Sequence, residues 1–103
     1  MKLAALYRWR FIHHLPARRR DGSYATLFQG MRGFPDLVLV HPSGRFLIRE
    51  VKEGKGVVSA DQRKWIDQLR NAGVDAGVWR WPEDEQLIRD ELNTRRKREK
   101  EAA

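Results

Sequence analysis

The segment Pro35–Lys52 constrains the fold more than any other part of this sequence. It contains an unbroken aliphatic run, Leu37–Val40, then the turn-forming residues His41–Gly44, and then a second apolar stretch over residues 45–52. An aliphatic run between turn signals is typical of a strand that is buried on both faces. We therefore predict that the two apolar stretches form the arms of a β-hairpin.

A helix is predicted after this hairpin. Ser59, followed three residues later by Gln62, is a capping-box pattern, in which the two side chains satisfy free backbone groups at a helix start. Apolar residues then recur at helical spacing as far as Ala72, and Gly73 is a typical helix stop. These signals predict a helix over Ser59–Ala72.

Other patterns complete the predicted fold. They indicate a short helix end that runs into a strand over Trp9–Leu15, a strand over Val74–Trp81, and an amphipathic helix from Glu83 onward. The resulting order is strand, two-stranded hairpin, helix, strand and helix. This order predicts an α/β fold in which helices and strands are layered around one central sheet.

The length and charge of the chain indicate one domain with a polyanionic partner. The 103 residues suit a single domain over residues 1–94, with a basic loop over 17–32 and a charged tail over 95–103. The chain has 21 Lys and Arg against 14 Asp and Glu, a formal charge of +7 that favours polyanions such as nucleic acid. It has no cysteine, which excludes disulfides and thiolate zinc sites. Because the sequence has no long apolar segment, we expect a soluble, cytoplasmic protein. We also expect a bacterial or phage-like source.

Three charged residues are predicted to meet at one end of the hairpin. Asp36 lies at the mouth of one arm, while Glu50 and Lys52 are two apart on the other and so point to the same face. Two carboxylates with a backbone carbonyl suit Mg²⁺ or Mn²⁺, and a nearby lysine can orient or help deprotonate a water. The alternative is that Asp36 caps a turn and that Glu50 and Lys52 form an ordinary surface ion pair.

These motifs resemble those of a known nuclease family. In chain order they are Gly33–Leu37, Glu50–Lys52 and Ser59–Trp65, and the resemblance extends from about residue 30 to residue 81. They are similar to the successive motifs of the VRR-NUC (virus-type replication-repair nuclease) family, of the PD-(D/E)xK superfamily. The resemblance implies a restriction-endonuclease-like core, with a mixed sheet of about four strands flanked by helices.

The resemblance also implies roles for particular residues. Asp36, Glu50 and the carbonyl of Val51 would bind the metal ion, Mg²⁺ or Mn²⁺. Lys52 would serve the attacking water, and Gln62 would steady the lysine, the water or the phosphate from the following helix.

The start of the chain departs from the superfamily pattern. Many members carry another acidic residue on a helix before the first strand, whereas residues 1–20 contain no Asp or Glu. Three interpretations remain open: two carboxylates suffice, His13 or His14 substitutes, or a longer first helix is missing.

The sequence also contains candidate DNA contacts. Candidate phosphate-binding side chains are Arg18, Arg19, Arg20, Arg32 and Lys55, although the arginines could equally form a solvated basic loop. Among the tryptophans, Trp65 and Trp79 are predicted to pack in the core, and Trp81 is left open for base stacking.

Together these features predict a metal-dependent DNA endonuclease that uses water as its nucleophile. We expect selectivity for DNA shape, in particular for branched DNA such as Holliday junctions. We also expect a homodimer, because small stand-alone members of the resembled family pair and because so small a core gains from a partner. The alternative is a catalytically impaired nucleic-acid-binding protein that retains the nuclease fold.

Overall fold

The computed structural model describes residues 2–13 and 32–94, together with the backbone of residues 17–18 and 24–25. No helix within these ranges is long and apolar enough to cross a lipid bilayer. The elements in chain order are α1 (Lys2–Leu6), β1 (Arg10–His13), β2 (Ala17–Arg18), β3 (Tyr24–Ala25), β4 (Leu37–Val40), β5 (Phe46–Glu53), α2 (Ala60–Asn71), β6 (Asp75–Trp81) and α3 (Glu85–Leu92).

The predicted α/β fold is confirmed, with two local differences. The first helix lies earlier than the pattern indicated, since α1 ends before Trp9 and β1 then occupies residues 10–13. Within the predicted basic loop, β2 and β3 pair with each other through Ala17↔Ala25 and Arg18↔Tyr24. Strands of two residues are too short to leave an alternating pattern in the sequence, which is why the segment resembled a loop.

A four-stranded mixed sheet of order β1-β4-β5-β6 organises the chain. Strands β4 and β5 form the predicted hairpin, and β1 pairs antiparallel with the other edge of β4. Strand β6 runs parallel to β5 over seven positions, from Leu47↔Asp75 to Glu53↔Trp81. Helix α2 makes the crossover that a parallel pair requires. Strand β5 is therefore hydrogen bonded on both sides.

Apolar cores lie on the two faces of this sheet. Helices α1 and α3 cover one face, where the buried side chains are Ala4, Trp9, Leu37, Leu39, Leu47, Trp79, Ile88 and Leu92. Helix α2 covers part of the other face, where the buried side chains are Ile48, Ile66 and Ala76. Trp79 is thus a core residue, as predicted, and successive residues of β5 face alternate cores.

A buried guanidinium joins α3 to the sheet. Arg49, which is 5% exposed, donates to Asp75 Oδ1 at 2.8 Å and to Glu91 Oε2 at 3.1 Å. The same Glu91 oxygen accepts a 2.7 Å hydrogen bond from Trp79 Nε1. At the end of the helix, the indole N–H of Trp9 donates to the Leu92 carbonyl at 2.8 Å. A buried cation is tolerated only when it is paired in this way.

We expect Glu91→Ala to lower the free energy of unfolding by about 2–4 kcal/mol, because it removes an acceptor shared by a buried guanidinium and a buried indole. The matched control is Glu85→Ala on the same helix. It removes an exposed ion pair with Arg89 at 3.8 Å and should change stability by less than about 1 kcal/mol. Urea unfolding measures both. Equal losses in the two variants would show that Arg49 does not hold α3.

Candidate functional site

Asp36 lies where β4 begins and is held against β5. Its Oδ1 accepts a 2.9 Å hydrogen bond from the Val51 N–H, and its Oδ2 lies 3.6 Å from His13 Nε2. The pairing Leu37↔Arg49, continued by one residue, sets Asp36 opposite Glu50, as the hairpin register predicted. The N–H and C=O groups of one strand residue point to the same edge, so the Val51 carbonyl is directed to the side of β5 where Asp36 lies.

Glu50 is a buried carboxyl, and its two oxygens differ in their hydrogen bonding within the described part of the chain. Its side chain lies on the α2 face of β5, and the residue is 4% exposed. Gln62 Nε2 donates to Oε1 at 3.0 Å, whereas Oε2 is buried and has no hydrogen-bond partner among the described residues. The pKa of Glu50 is raised from 4.5 to about 7, mainly by burial and secondly by the charge of Asp36, whereas the charge of Lys52 acts in the opposite direction.

Gln62 connects the start of α2 to this carboxyl. Its backbone N–H donates to Ser59 Oγ at 3.1 Å, and its Oε1 accepts from the Ser59 N–H at 2.9 Å, which completes the predicted capping box. The Nε2 end of the same amide is then left to donate to Glu50. A glutamate could complete the box but would have no such donor when ionised. The capping pattern and the site therefore use different ends of one side chain.

Gly33 and Trp65 position the segment that leads to Asp36. Gly33 has a φ of +93°, and a Cβ there would lie 2.6 Å from the Asp61 carbonyl carbon and 2.8 Å from the Gln62 nitrogen. Trp65 Nε1 donates to the Arg32 carbonyl at 3.0 Å, and its ring packs edge-on against Phe34 at 5.1 Å. Sequence reasoning missed the role of Gly33 and treated Trp65 as a core residue, because both functions depend on how closely α2 approaches this segment.

Lys52 shares the face of Glu50, as its two-residue spacing predicts. The loop that follows it is held by Arg80, whose Nη1 donates to the carbonyls of Gly54 and Gly56 at 3.1 Å and 2.6 Å. Lys55 is exposed in that loop.

The candidate DNA-binding arginines are only partly described. Arg32 is exposed and belongs to the segment fastened by Trp65. The side chain of Arg18, and all of Arg19, Arg20 and His14, lie outside the described residues, as does the charged tail over 95–103.

The oxygen donors of the site determine whether it can bind a divalent cation. Among the described residues, no three His, Cys, Asp or Glu side chains converge into a ligand cluster. What converges instead is a pair of carboxylates near a backbone carbonyl, and one buried carboxylate oxygen has no partner in the part of the chain that the structure describes. Hard oxygen donors of this kind, with the remaining positions left to water and phosphate, suit Mg²⁺ or Mn²⁺. The donor set therefore fits such an ion.

The fold and this arrangement define a class of protein. A four-stranded mixed sheet flanked by helices, with an acidic residue and a lysine two apart on its central strand, is consistent with a restriction-endonuclease-like core. The family model described as "VRR-NUC domain" matches residues 10–81, more than half of the chain, and the protein belongs to the VRR-NUC family. Comparisons with curated proteins and with solved structures gave no match. Membership identifies a nuclease domain that has DNA as its partner.

We expect Glu50→Gln to stabilise the metal-free protein above about pH 7 by on the order of 1–3 kcal/mol. Because the folded-state pKa of Glu50 is raised to about 7, the unfolded chain ionises first as the pH rises through 4.5. The free energy of unfolding of the parent then decreases with pH until the folded carboxyl also ionises near pH 7. The variant does not lose this free energy, because its amide does not ionise. Urea unfolding in EDTA at pH 4.5 and pH 8 measures the difference. Equal stability of variant and parent at pH 8 would contradict the burial argument.

Proposed function

We propose that this protein is a metal-dependent DNA endonuclease that hydrolyses phosphodiester bonds with water as the nucleophile. The observation that carries the proposal is the buried carboxyl of Glu50, whose Oε2 has no hydrogen-bond partner among the described residues, with the half-buried Asp36 opposite it and Lys52 on the same face of the strand. A buried carboxylate without a partner is costly, and binding a cation would compensate it. Folded proteins keep such costs mainly where function requires them.

Asp36, Glu50 and the Val51 carbonyl are the proposed ligands of Mg²⁺ or Mn²⁺. When bound, the ion would polarise the phosphate and lower the pKa of water. The hydrogen bond from the Val51 N–H and the neighbouring His13 hold the Asp36 carboxylate in place. Gln62 occupies one oxygen of Glu50 and leaves the other for the ion. His13 is thus a direct neighbour of the proposed ligand Asp36.

Lys52 is the proposed residue for the chemical step. Its position on the Glu50 face allows it to orient the attacking water and to stabilise negative charge that develops on the phosphoryl oxygens. The oxygen of the water bonds to phosphorus, and the bond from phosphorus to the leaving sugar oxygen breaks. The products are one phosphate end and one hydroxyl end, and no covalent intermediate with the protein is formed.

The proposed substrate is DNA of unusual shape, such as a Holliday junction. The positive charge of the chain favours a polyanion, and the proposed phosphate contacts are Arg18, Arg19, Arg20, Arg32 and Lys55. Such contacts position DNA without reading its sequence. The second candidate, a DNA-binding protein without turnover, is favoured by the lack of acidic residues in α1.

We expect Lys52→Ala to abolish cleavage while DNA binding is largely kept, because this lysine serves the chemical step. Asp36→Asn should also abolish cleavage and in addition weaken Mn²⁺ binding, since it removes an anionic ligand. The control is Lys64→Ala on the exposed face of α2, which should cut like the parent. The measurements are cleavage of labelled junction, flap, duplex and single-stranded DNA with Mg²⁺ or Mn²⁺, and calorimetric titration with Mn²⁺.

The outcomes separate the two candidate functions. Cutting by Lys52→Ala at the rate of the parent would remove the lysine from the mechanism. Binding of DNA by the parent without cleavage of any substrate, at any metal concentration, would favour the impaired DNA-binding protein. Unchanged Mn²⁺ affinity in Asp36→Asn would contradict the proposed ligand set.

A bare part of the sheet supports the proposed homodimer. Helix α2 does not cover all the apolar side chains on the face of the sheet against which it packs. The uncovered side chains are those of Ile12, Val40 and Phe46, which are 60%, 47% and 42% exposed. Val40 pairs directly with Phe46, and Ile12 pairs with Val38, so the three lie on neighbouring positions of β1, β4 and β5. A contiguous exposed apolar patch is typical of an interaction surface. Pairing through it would join two active sites, as symmetric incision of a junction requires.

We expect light scattering to give twice the 12.1 kDa mass of one chain at micromolar concentration. The double variant Val40→Lys/Phe46→Lys should be monomeric, because it places charge in the apolar row. Val57→Lys is the matched control, since Val57 is 82% exposed in the loop before α2 and lies outside this row. A parent protein of one-chain mass at all concentrations would exclude the dimer.

A further inference from the structure

A cavity of about 280 Å³ lies between the sheet and helices α1 and α3, on the face opposite Glu50 and Lys52. Aromatic side chains from β6, Trp79 and Trp81, form part of its wall. Trp79 is buried, whereas Trp81 is 39% exposed, unusually open for so large an apolar side chain. We name this cavity the Trp79–Trp81 pocket. Trp81 therefore supplies aromatic surface that the core does not cover.

The pocket adjoins the candidate active site through β5. The Val51 side chain lines the pocket, and the N–H of the same residue donates to Asp36 at 2.9 Å. His13 also lines the pocket, and its Nε2 lies 3.6 Å from Asp36 Oδ2. The pocket and the carboxylates thus lie on opposite faces of the same end of the sheet. A DNA strand that crosses this end can reach both.

The chemistry of the lining indicates which part of DNA would enter. Most of the wall is apolar, and Glu53 contributes a carboxylate that would repel a phosphate group. The same carboxylate can accept hydrogen bonds from the exocyclic amino group of a base. Aromatic faces stack on bases of any sequence, and Lys2 at the pocket provides a cation for the adjoining backbone. A base, rather than a phosphate, is therefore the complementary group.

The volume further restricts the occupant. The volume of the pocket is just below roughly 300 Å³, the lower limit for pockets that bind drug-sized ligands. The pocket can therefore hold one ring system but not a base pair. A base inside a duplex is stacked and paired and cannot enter without leaving the helix. Bases at bulges, flaps and branch points are already partly unstacked, so they enter at lower cost.

We propose that the Trp79–Trp81 pocket receives one unpaired nucleobase of the DNA strand that is cut. Because the pocket adjoins Asp36, this base belongs to a nucleotide near the cleaved bond. The pocket would therefore make the domain selective for DNA with an unpaired nucleotide beside the scissile phosphate. The inference rests on the proposed action on DNA, and it adds a physical reason for shape selectivity without reading of base sequence.

The test compares two DNAs of the same sequence context in EDTA, so that binding is measured without cleavage. One is a fully paired linear duplex without a loop, and the other is the same duplex with an unpaired 2-aminopurine in a one-nucleotide bulge. We expect the parent to bind the bulged DNA more tightly and to quench the fluorescence of 2-aminopurine as the base stacks on Trp81. Trp81→Ala should weaken binding of the bulged DNA about tenfold and abolish the quenching.

Two further variants complete the design. Trp81→Phe should keep most of the quenching, because an aromatic face remains. Leu6→Ala changes an exposed apolar side chain of α1 that does not line the pocket, and it should behave as the parent. The melting temperature of each variant shows that it is folded.

The outcomes distinguish a failure of the pocket proposal from a failure of the proposed nuclease function. Equal affinity of the parent for bulged and paired DNA, or quenching that persists in Trp81→Ala, would overturn the pocket proposal even if the protein cuts DNA with Mg²⁺. Quenching that depends on residue 81 in a protein that cuts no DNA would support the pocket and overturn the nuclease proposal alone.

Discussion

The pairing of β5 with β4 on one side and β6 on the other is the constraint on which the rest of the structure depends. It sets the register that places Asp36 opposite Glu50, and it aligns the end of β6 with the end of β5. A shift of one residue would exchange the two faces of β5 and bury Lys52 against α1 and α3. Buried residues on both faces, together with the Arg49 interactions, disfavour such a shift. The precision of the site therefore comes from the same packing that stabilises the fold.

Two neighbouring side chains of the site, Gln62 and Glu50, have opposite effects on the stability of the fold. Gln62 completes a helix cap and also binds Glu50, so its contacts stabilise both the helix and the geometry of the carboxyl. Glu50 opposes folding at neutral pH, because it is buried beside a second carboxylate and its pKa is raised to about 7. A cation at this position would convert an unfavourable buried charge into a favourable contact. On this view metal binding and stability are coupled.

The two faces at the end of β5 offer different chemistry to the same polymer. Glu50 and Lys52 lie on the face towards α2, and Val51 lies among the aromatic side chains on the opposite face. Charged groups suit the phosphate, whereas an apolar aromatic pocket suits a base. Alternation along a single strand is enough to separate these tasks. The row of Ile12, Val40 and Phe46 adds an exposed apolar surface on the α2 face.

The sequence by itself determined the central hairpin, the capped helix α2, the strand β6, and the family to which the chain belongs, because these follow from local periodicity, turn chemistry and short motifs. It also placed Glu50 and Lys52 on one face. Only the tertiary structure decided that Glu50 is buried, with one oxygen that no described residue contacts by a hydrogen bond, that Gly33 must lack a side chain beside α2, and that Trp81 borders a pocket. These features depend on distances between segments far apart in the chain. Local patterns carry no information on how closely such segments approach, since that is set by packing of the whole core.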